Sequence, residues 1–455
     1  MERACVPVLY TRNKPHKKKP NWKNILLTAF CLVLVVCSVT LLVKAVPSWN
    51  SGTQLNKSSA SPAPSQAAET PVPSESPSPA ETPAPSESVE PSAEPTPARG
   101  SGVQSITFGA VGSIMMHAHE LQAAKTGNSY DFGSFFARVQ PYLSWQDVTL
   151  GTLETTIASD KFDETRAPAQ LLTAMKNNGF DLVSLASAQI LDSDIAGAQA
   201  TVQAAKEAEL LSTGAYASGS DYVKPLIIEK DDLRIAVLSY TEKTDKLPDG
   251  ATDTVKYLTE ATLDNDLKQI RADETGIDFI IVCVQWSGDS AELTDSQKAW
   301  AQTFADNDVD VVLGTCAHRQ QSLTYVQGKD GNRTLVAYSL GSFLDAYRNN
   351  GRDAAVILNF KLTKDFDKDE KNVEEVTYTP IWELKYSSEG KYAFEMMNSI
   401  EYSSKKYQNM SLADRDRIKL IRKEIETAMG TGAGQTDINI RTMTDGVSTI
   451  VEPAA

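Results

Sequence analysis

One stretch near the amino terminus, ILLTAFCLVLVVCSVTLLV from Ile25 to Val43, carries no charge and only Thr28, Ser38, Thr40 and two cysteines among its apolar residues. At the ~1.5 Å rise of a helix, about twenty such residues cross a ~30 Å hydrocarbon layer. Residues 25–46 are therefore read as a transmembrane signal anchor. A cleaved signal peptide has a shorter apolar run, about 7–15 residues, ending in a small-x-small site, and the VKAVPS that follows is a poor one. Seven basic side chains, Arg3, Arg12, Lys14, Lys17, Lys18, Lys19 and Lys23, precede the anchor against one acid, Glu2. The positive-inside rule places this 1–24 tail in the cytoplasm and everything after the anchor outside, a single-pass type II arrangement. From 47 to 102 the chain turns to Pro, Ser, Ala, Glu and Thr. Such a segment has no apolar surface to offset the entropy of ordering, so it is expected to be a disordered tether.

Alternation of short apolar runs with helix-spaced ones then begins. QSITFGAVG predicts a first strand ending at Gly109 and Gly112; DVTLGTLE, FDLVSLAS, LRIAVLSY, IDFIIVCVQW, VDVVLGT and RTLVAYSLGSF predict further strands. PAQLLTAMKNNG, AGAQATVQAAKEAELL and SQKAWAQTFADN have helical spacing. This pattern predicts a layered α/β domain over 103–388, whose chemistry belongs at the strand ends. A C-terminal extension, 389–455, contains one amphipathic helix, SLADRDRIKLIRKEIETAMG, with a Ser cap and a terminal Gly.

Charge narrows the partners. The net charge is −15, and the basic tail means that the exported part is more acidic still, which argues against nucleic acid. Of five cysteines, Cys283 and Cys316 lie in the exported part. Both sit near strand ends, where a disulfide is conceivable, but two free buried thiols are the expectation.

The strand ends read in order VGSIMM (111–116), GTLE (151–154), SLASAQILD (184–192), VQWSGD (284–289), GTCAH (314–318) and YSLGSF (338–343). With RAP at 166–168, NNGFDLVSLA at 177–186 and Gln297, this series resembles the bacterial capsule-synthesis CapA family over roughly residues 104–385. The resemblance implies a role in poly-γ-glutamate capsule formation and the fold of calcineurin-like metallophosphoesterases, a layered sandwich of central sheets flanked by helices. It also implies a two-metal site built from Asp, Asn and His at the strand ends. Here Ser113 replaces the Asp, Thr152 an Asn, and Ser187, Ala188 and Gln189 an Asn-Asn-His. Gln285 and Cys316 each replace a His, and only His318 is retained. Amides and hydroxyls are too weak to hold a divalent cation alone.

Glu154, Arg166, Asp192 and Asp289 survive in the family pattern or near it. With Ser113, Gln189, Gln285, Cys316 and His318 they form the candidate ligand-binding cleft. Only four histidines exist, His16 in the tail and His117, His119 and His318 outside. The latter three with Cys316 could form a mononuclear zinc site of N/S ligands, provided that His117 and His119 lie on a strand; in a helix they diverge. A serine nucleophile, Ser113 or Ser187 activated by His318, lacks the surrounding turn motif.

The resulting expectation is a membrane-anchored extracellular protein that binds an envelope polymer or its biosynthetic membrane proteins, with no cofactor and no catalysis. The alternative is a metal-dependent hydrolase with substitute ligands around His318 and Glu154.

Overall fold

The computed structural model describes residues 100–400 apart from 164, 223, 274–275, 349–350 and 389, together with 410–430, 439–444 and 447–451. The expected cytoplasmic tail, the anchor and nearly all of the tether lie outside the described residues. Among the described residues no helix is long and apolar enough to cross a membrane.

Beside two small two-stranded pairs, the described residues build two large sheets. The chain lays down β1 (Val103–Ile114), β2 (Val148–Leu153), β3 (Leu182–Ser184) and β4 (Leu211–Thr213) as parallel neighbours in the first sheet. It then forms the whole six-stranded second sheet from β5 (Leu226–Lys230), β6 (Leu233–Thr241), β7 (Phe279–Gln285), β8 (Val311–Thr315), β9 (Leu323–Gln327) and β10 (Arg333–Ala337). Of these, β6, β7, β8 and β10 run parallel. Finally it returns to complete the ten-stranded first sheet with β11 (Ser342–Leu344), β12 (Ala354–Asp365), β13 (Glu370–Ser388), β14 (Lys391–Asn398), β15 (Asn439–Thr444) and β16 (Val447–Val451). β1 sits between parallel β2 and antiparallel β12.

The two-residue period of a strand explains the layering. In β7, Phe279, Ile281 and Cys283 join the core shared by the two sheets, where they meet Phe108, Leu150 and Leu182 of the first sheet. Ile280, Val282 and Val284 point the other way and are covered by Leu263 and Leu267 of α4 (Glu260–Arg271) and Phe304 of α5 (Asp295–Ala305). On the outer face of the first sheet, Val111, Leu153 and Val183 pack under α2 (Gln170–Asn177) and α3 (Asp194–Glu207). A strand buried on both faces must be apolar throughout, which is why FIIVCV reads as one continuous run. The sheets are therefore mixed α/β layers flanked by helices. A last helix, α6 (Leu412–Met429), starts with a Ser411–Asp414 capping box, ends on left-handed Gly430, and buries Ile418, Ile421 and Ile425 against the shared core.

Three differences from the sequence pattern matter. β1 does not stop at its glycines but runs to Ile114. RTLVAYSLGSF is two strands, β10 in the second sheet and β11 in the first, and the chain crosses between sheets at Ser339–Gly341. The antiparallel pair β12–β13, the longest strands of the first sheet, carried no clear period, because its polar and apolar positions are interrupted by a register shift between Asn359 and Lys361. The first two share one cause. A Cβ at Gly112 would lie 1.9 Å from the Gly341 carbonyl oxygen, and the neighbouring Ser113 N–H donates to that carbonyl at 3.0 Å. The glycine in β1 is there for backbone contact with the crossing segment.

A buried ion pair fixes the far side of the second sheet. Lys256 and Asp266 are each 1% exposed and lie 2.5 Å apart, Nζ to Oδ1. Tyr240 Oη donates to the other carboxylate oxygen at 2.7 Å, and the Tyr216 and Tyr222 rings flank the ammonium.

Two stability tests follow from these contacts. Gly112→Ala should destabilise the protein by about 3 kcal/mol through backbone overpacking, read as a lower urea midpoint with an unchanged slope. Lys256→Met should cost about 3–5 kcal/mol by leaving Asp266 as an unpaired buried charge, and adding Asp266→Asn should recover most of that loss.

Candidate functional site

The carboxyl ends of the parallel strands of both sheets meet. The Ser184 and Ser239 hydroxyls, ending β3 and β6, lie 2.7 Å apart. Gln285 at the end of β7 accepts through Oε1 from the Ala188 N–H at 2.5 Å and from the Thr241 hydroxyl at 3.1 Å. The Leu340 N–H in the crossing segment donates to Gly314 of β8 at 3.2 Å. The loops that carry the sequence-selected residues are thus drawn to one seam.

Within the seam Ser113, fully buried, donates to Glu154 Oε1 at 2.5 Å. Glu154 is 2% exposed, and its other oxygen has no partner among the described residues. Cys316 and Cys283 are both free thiols; Cys283 is buried in the shared core and Cys316 is half-buried in the loop. Burial, reinforced by the nearby Glu154 charge, pushes the Cys316 thiol up to about 12. A thiol so raised is a poor nucleophile at neutral pH. Cys316 and His318 both adopt positive φ, 90° and 51°, conformations that cost a non-glycine residue about 1–3 kcal/mol each. Their loop is held by side chains on either side: Gln320 Nε2 donates to the Ala354 carbonyl at 2.5 Å, and Gln321 Nε2 to that of Ser290 at 3.0 Å.

His318 leads away from the seam. Its Nδ1 lies 3.4 Å from the Ser342 hydroxyl, which donates to Asp345 Oδ2 at 3.1 Å. Asp345, fully buried, also accepts from Arg352 at 2.9 and 2.7 Å, and its Oδ1 is 3.1 Å from His117 Nε2. His117 is the N-cap residue of α1 (Ala118–Ala124), so His119 falls inside a helix. The two rings diverge: His117 is buried beside Asp345, whereas His119 is exposed against Tyr392 and Lys385. The four ligands of the imagined zinc site are not gathered.

Behind His117 lie two carboxylates that the sequence pattern did not single out. Glu120 on α1 and Glu383 on β13 are buried, and neither has a hydrogen-bond partner on either carboxylate oxygen among the described residues. Burial raises Glu120 to about 7, with His117 and Lys385 pulling it down and Asp345 pushing it up. Burial, with Glu120 and Asp345 nearby, raises Glu383 far above its ordinary range. The available signal was a charge inside a run buried on both sides, as in PIWELKY, where Trp382 and Leu384 flank Glu383.

The remaining predicted residues pair with near neighbours. Arg166 is paired with Asp163, its Nε 3.0 Å from Oδ2. Gln189 reaches Asp245 at 3.4 Å, and Asp192 is raised by burial and by Asp245. Asp289, 54% exposed, lies 3.8 Å from Arg319.

Two divalent cations, which the resemblance implies, do not fit this donor set. At the positions the resemblance implies, Ser113, Thr152, Ser187 and Gln285 are neutral and Glu154 is a carboxylate, while Glu242 after β6 is taken up by Ser287 and Ser296 and Asp345 after β11 by Arg352 and His117. Among the described residues no three His, Cys, Asp or Glu side chains are grouped so as to hold a metal ion.

The buried Glu120 gives a pH test. Its folded value, about 7, exceeds the ordinary 4.5, so between these values the native state binds more protons than the unfolded chain. Stability should therefore fall as pH rises through that window. In Glu120→Gln the pH 5 to pH 8 loss should shrink by up to about 3 kcal/mol, measured by denaturant unfolding at each pH.

Comparison with known proteins agrees with the strand-end series. The family model described as "Bacterial capsule synthesis protein PGA_cap" matches residues 107–347. "Capsule biosynthesis protein CapA" of Bacillus anthracis is 28% identical over 273 residues, 56% of this chain and 63% of that protein, so the chain spans less than two thirds of that relative. Among solved structures, a phosphatase from Mycoplasma pneumoniae is 13% identical with a TM-score of 0.40, covering 62% of this chain and 94% of its own. A calcineurin-like phosphoesterase from Bacillus subtilis is 10% identical with a TM-score of 0.34, covering 70% and 100%. Likeness at that depth says nothing of chemistry. The family match spans more than half of the chain and takes in the second sheet, the parallel strands of the first and the seam between them, and the chain belongs to the bacterial capsule synthesis protein family.

Proposed function

We propose that this protein is a non-catalytic, polymer-binding component of capsule or related envelope-polymer assembly, held at the outer face of the membrane by the anchor over residues 25–46. The observation that carries the reading is the chemistry of the seam. Where a hydrolase needs anionic and imidazole groups free to act, Gln285 is a neutral amide whose oxygen is held by Ala188 and Thr241, Ser113 donates to Glu154, and His318 lies toward Ser342. Ser113 cannot serve as a nucleophile activated by His318, because its proton is given to Glu154. Family membership supplies the envelope context, and the −15 net charge disfavours nucleic acid.

The full-length protein in detergent should show no turnover of a phosphodiester substrate with added manganese or zinc, and should be thermally stabilised by a capsule-type polymer fragment. Metal-dependent turnover abolished by His318→Ala would establish the hydrolase instead.

A further inference from the structure

On the outer face of the first sheet, towards the amino end of β1, a pocket of about 140 Å³ opens between the sheet and the loop that leads into β2. It lies away from the seam, which gathers the carboxyl ends of the strands. Three features of the chain shape it. The register shift between Asn359 and Lys361 of β12 is matched by a bulge in β13, where Glu375 takes a positive φ of 50°, and such bulges re-aim the side chains around them. A Cβ at Gly109 would lie 2.9 Å from Thr149 Oγ1 and 3.3 Å from Gln146 Cγ, so the glycine leaves room for Gln146 beside Asn359. Asp147 fixes the loop, accepting from the Thr107 amide and hydroxyl at 2.9 and 2.8 Å and pairing with Lys230 at 2.5 Å. Trp145 and Gln146, immediately before it, are thus presented by anchored backbone.

The inner surface of the pocket is carboxamide. Asn359 is 4% exposed, and its Oδ1 accepts from Gln146 Nε2 at 3.0 Å. The Asn359 amide nitrogen has only a 3.5 Å contact with the Ile357 carbonyl, beyond ordinary hydrogen-bond length. The Gln146 carbonyl oxygen accepts nothing among the described residues. The coupled amides therefore offer one donor and one acceptor, and a buried donor so poorly served calls for an acceptor. The two ionic groups in the wall, Lys361 and Glu375, are paired with each other at 3.0 Å, so the pocket asks for no charge on its ligand. Trp145, 41% exposed at this pocket, adds apolar aromatic surface next to the amides.

We propose that this pocket is a subsite for a pyranose ring bearing an acetamido group. The acetamido carbonyl accepts from Asn359 Nδ2 and its N–H donates to the Gln146 carbonyl, an amide meeting its complement. The apolar C–H face of the ring lies on the Trp145 indole. A pocket this small takes the acetamido arm and the adjoining edge of one ring, so a few placed polar groups set the choice of ligand. The subsite goes beyond the polymer-binding reading above and does not rest on it.

The test is isothermal titration of the full-length protein, in a detergent without sugar headgroups, with the N-acetylated β-1,4-glucosamine tetramer and the β-1,4-glucose tetramer. The two share ring and linkage and differ in the acetamido group. The acetylated tetramer should bind, and the glucose tetramer at least about tenfold more weakly. Trp145→Ala and Gln146→Ala should each weaken the acetylated tetramer about tenfold or more, and Trp145→Phe should recover part of the loss. Neither side chain belongs to a core cluster, and an unchanged unfolding temperature verifies the fold of each variant. Equal binding of the two tetramers, lost in Trp145→Ala, overturns the acetamido assignment in favour of an unsubstituted pyranose. Absence of binding by the acetylated tetramer, or binding undiminished in both Ala variants, overturns the subsite. Neither result bears on the seam, whose reading has its own test.

Discussion

The contact on which the seam depends is a close approach of two backbones. Gly112 in β1 and Gly341 in the segment crossing between sheets touch without side chains, and the Ser113 amide donates to the Gly341 carbonyl. Because Ser113 continues β1 in the first sheet and Leu340 is bonded to Gly314 of the second, this one junction ties the carboxyl ends of both sheets together. The strained backbone at Cys316 and His318 can persist only because the junction and the glutamine side chains over-determine that loop.

Polar groups in the seam and just behind it follow two regimes. In the seam itself Ser113 donates to one oxygen of Glu154 and Gln285 accepts from Ala188 and Thr241, while Glu154 Oε2, Ser187 Oγ, Gln285 Nε2 and Thr315 Oγ1 are buried without partners among the described residues. Behind it, His117 and Arg352 neutralise Asp345, and burial, together with the charges around them, decides the protonation of Glu120 and Glu383. The first regime is a site with little charge. The second is a reservoir of buried protons that tunes stability without touching the cleft.

Much of this was legible in the sequence. Strands buried on both faces announce themselves as apolar runs, so β2, β6, β7 and β8 were plain, as were α2, α3 and α5 though not α4, and so was the placement of the site at the strand ends. The helix α6 was clear from its cap, period and terminal glycine. What could not be read was long-range pairing. Nothing local distinguishes a glycine that ends a strand from one that admits a neighbouring backbone, as Gly112 does. Nothing local reveals that Asp345 serves His117, 228 residues away. Arg166, Asp192 and Asp289 kept their family positions, but the fold uses them for pairing with nearby side chains or leaves them toward solvent.

The central place of β1 sets the order in which the protein can become itself. Its antiparallel neighbour β12 pairs Val103 with Asp365, so the earliest strand of the domain waits for nearly all of the rest before its edge is covered. Such distant pairing makes for slow folding. Until then β1 is an apolar edge open to any other chain. A chain of this topology must therefore pass through a vulnerable interval after its first strand has emerged, during which a chaperone has the most to protect.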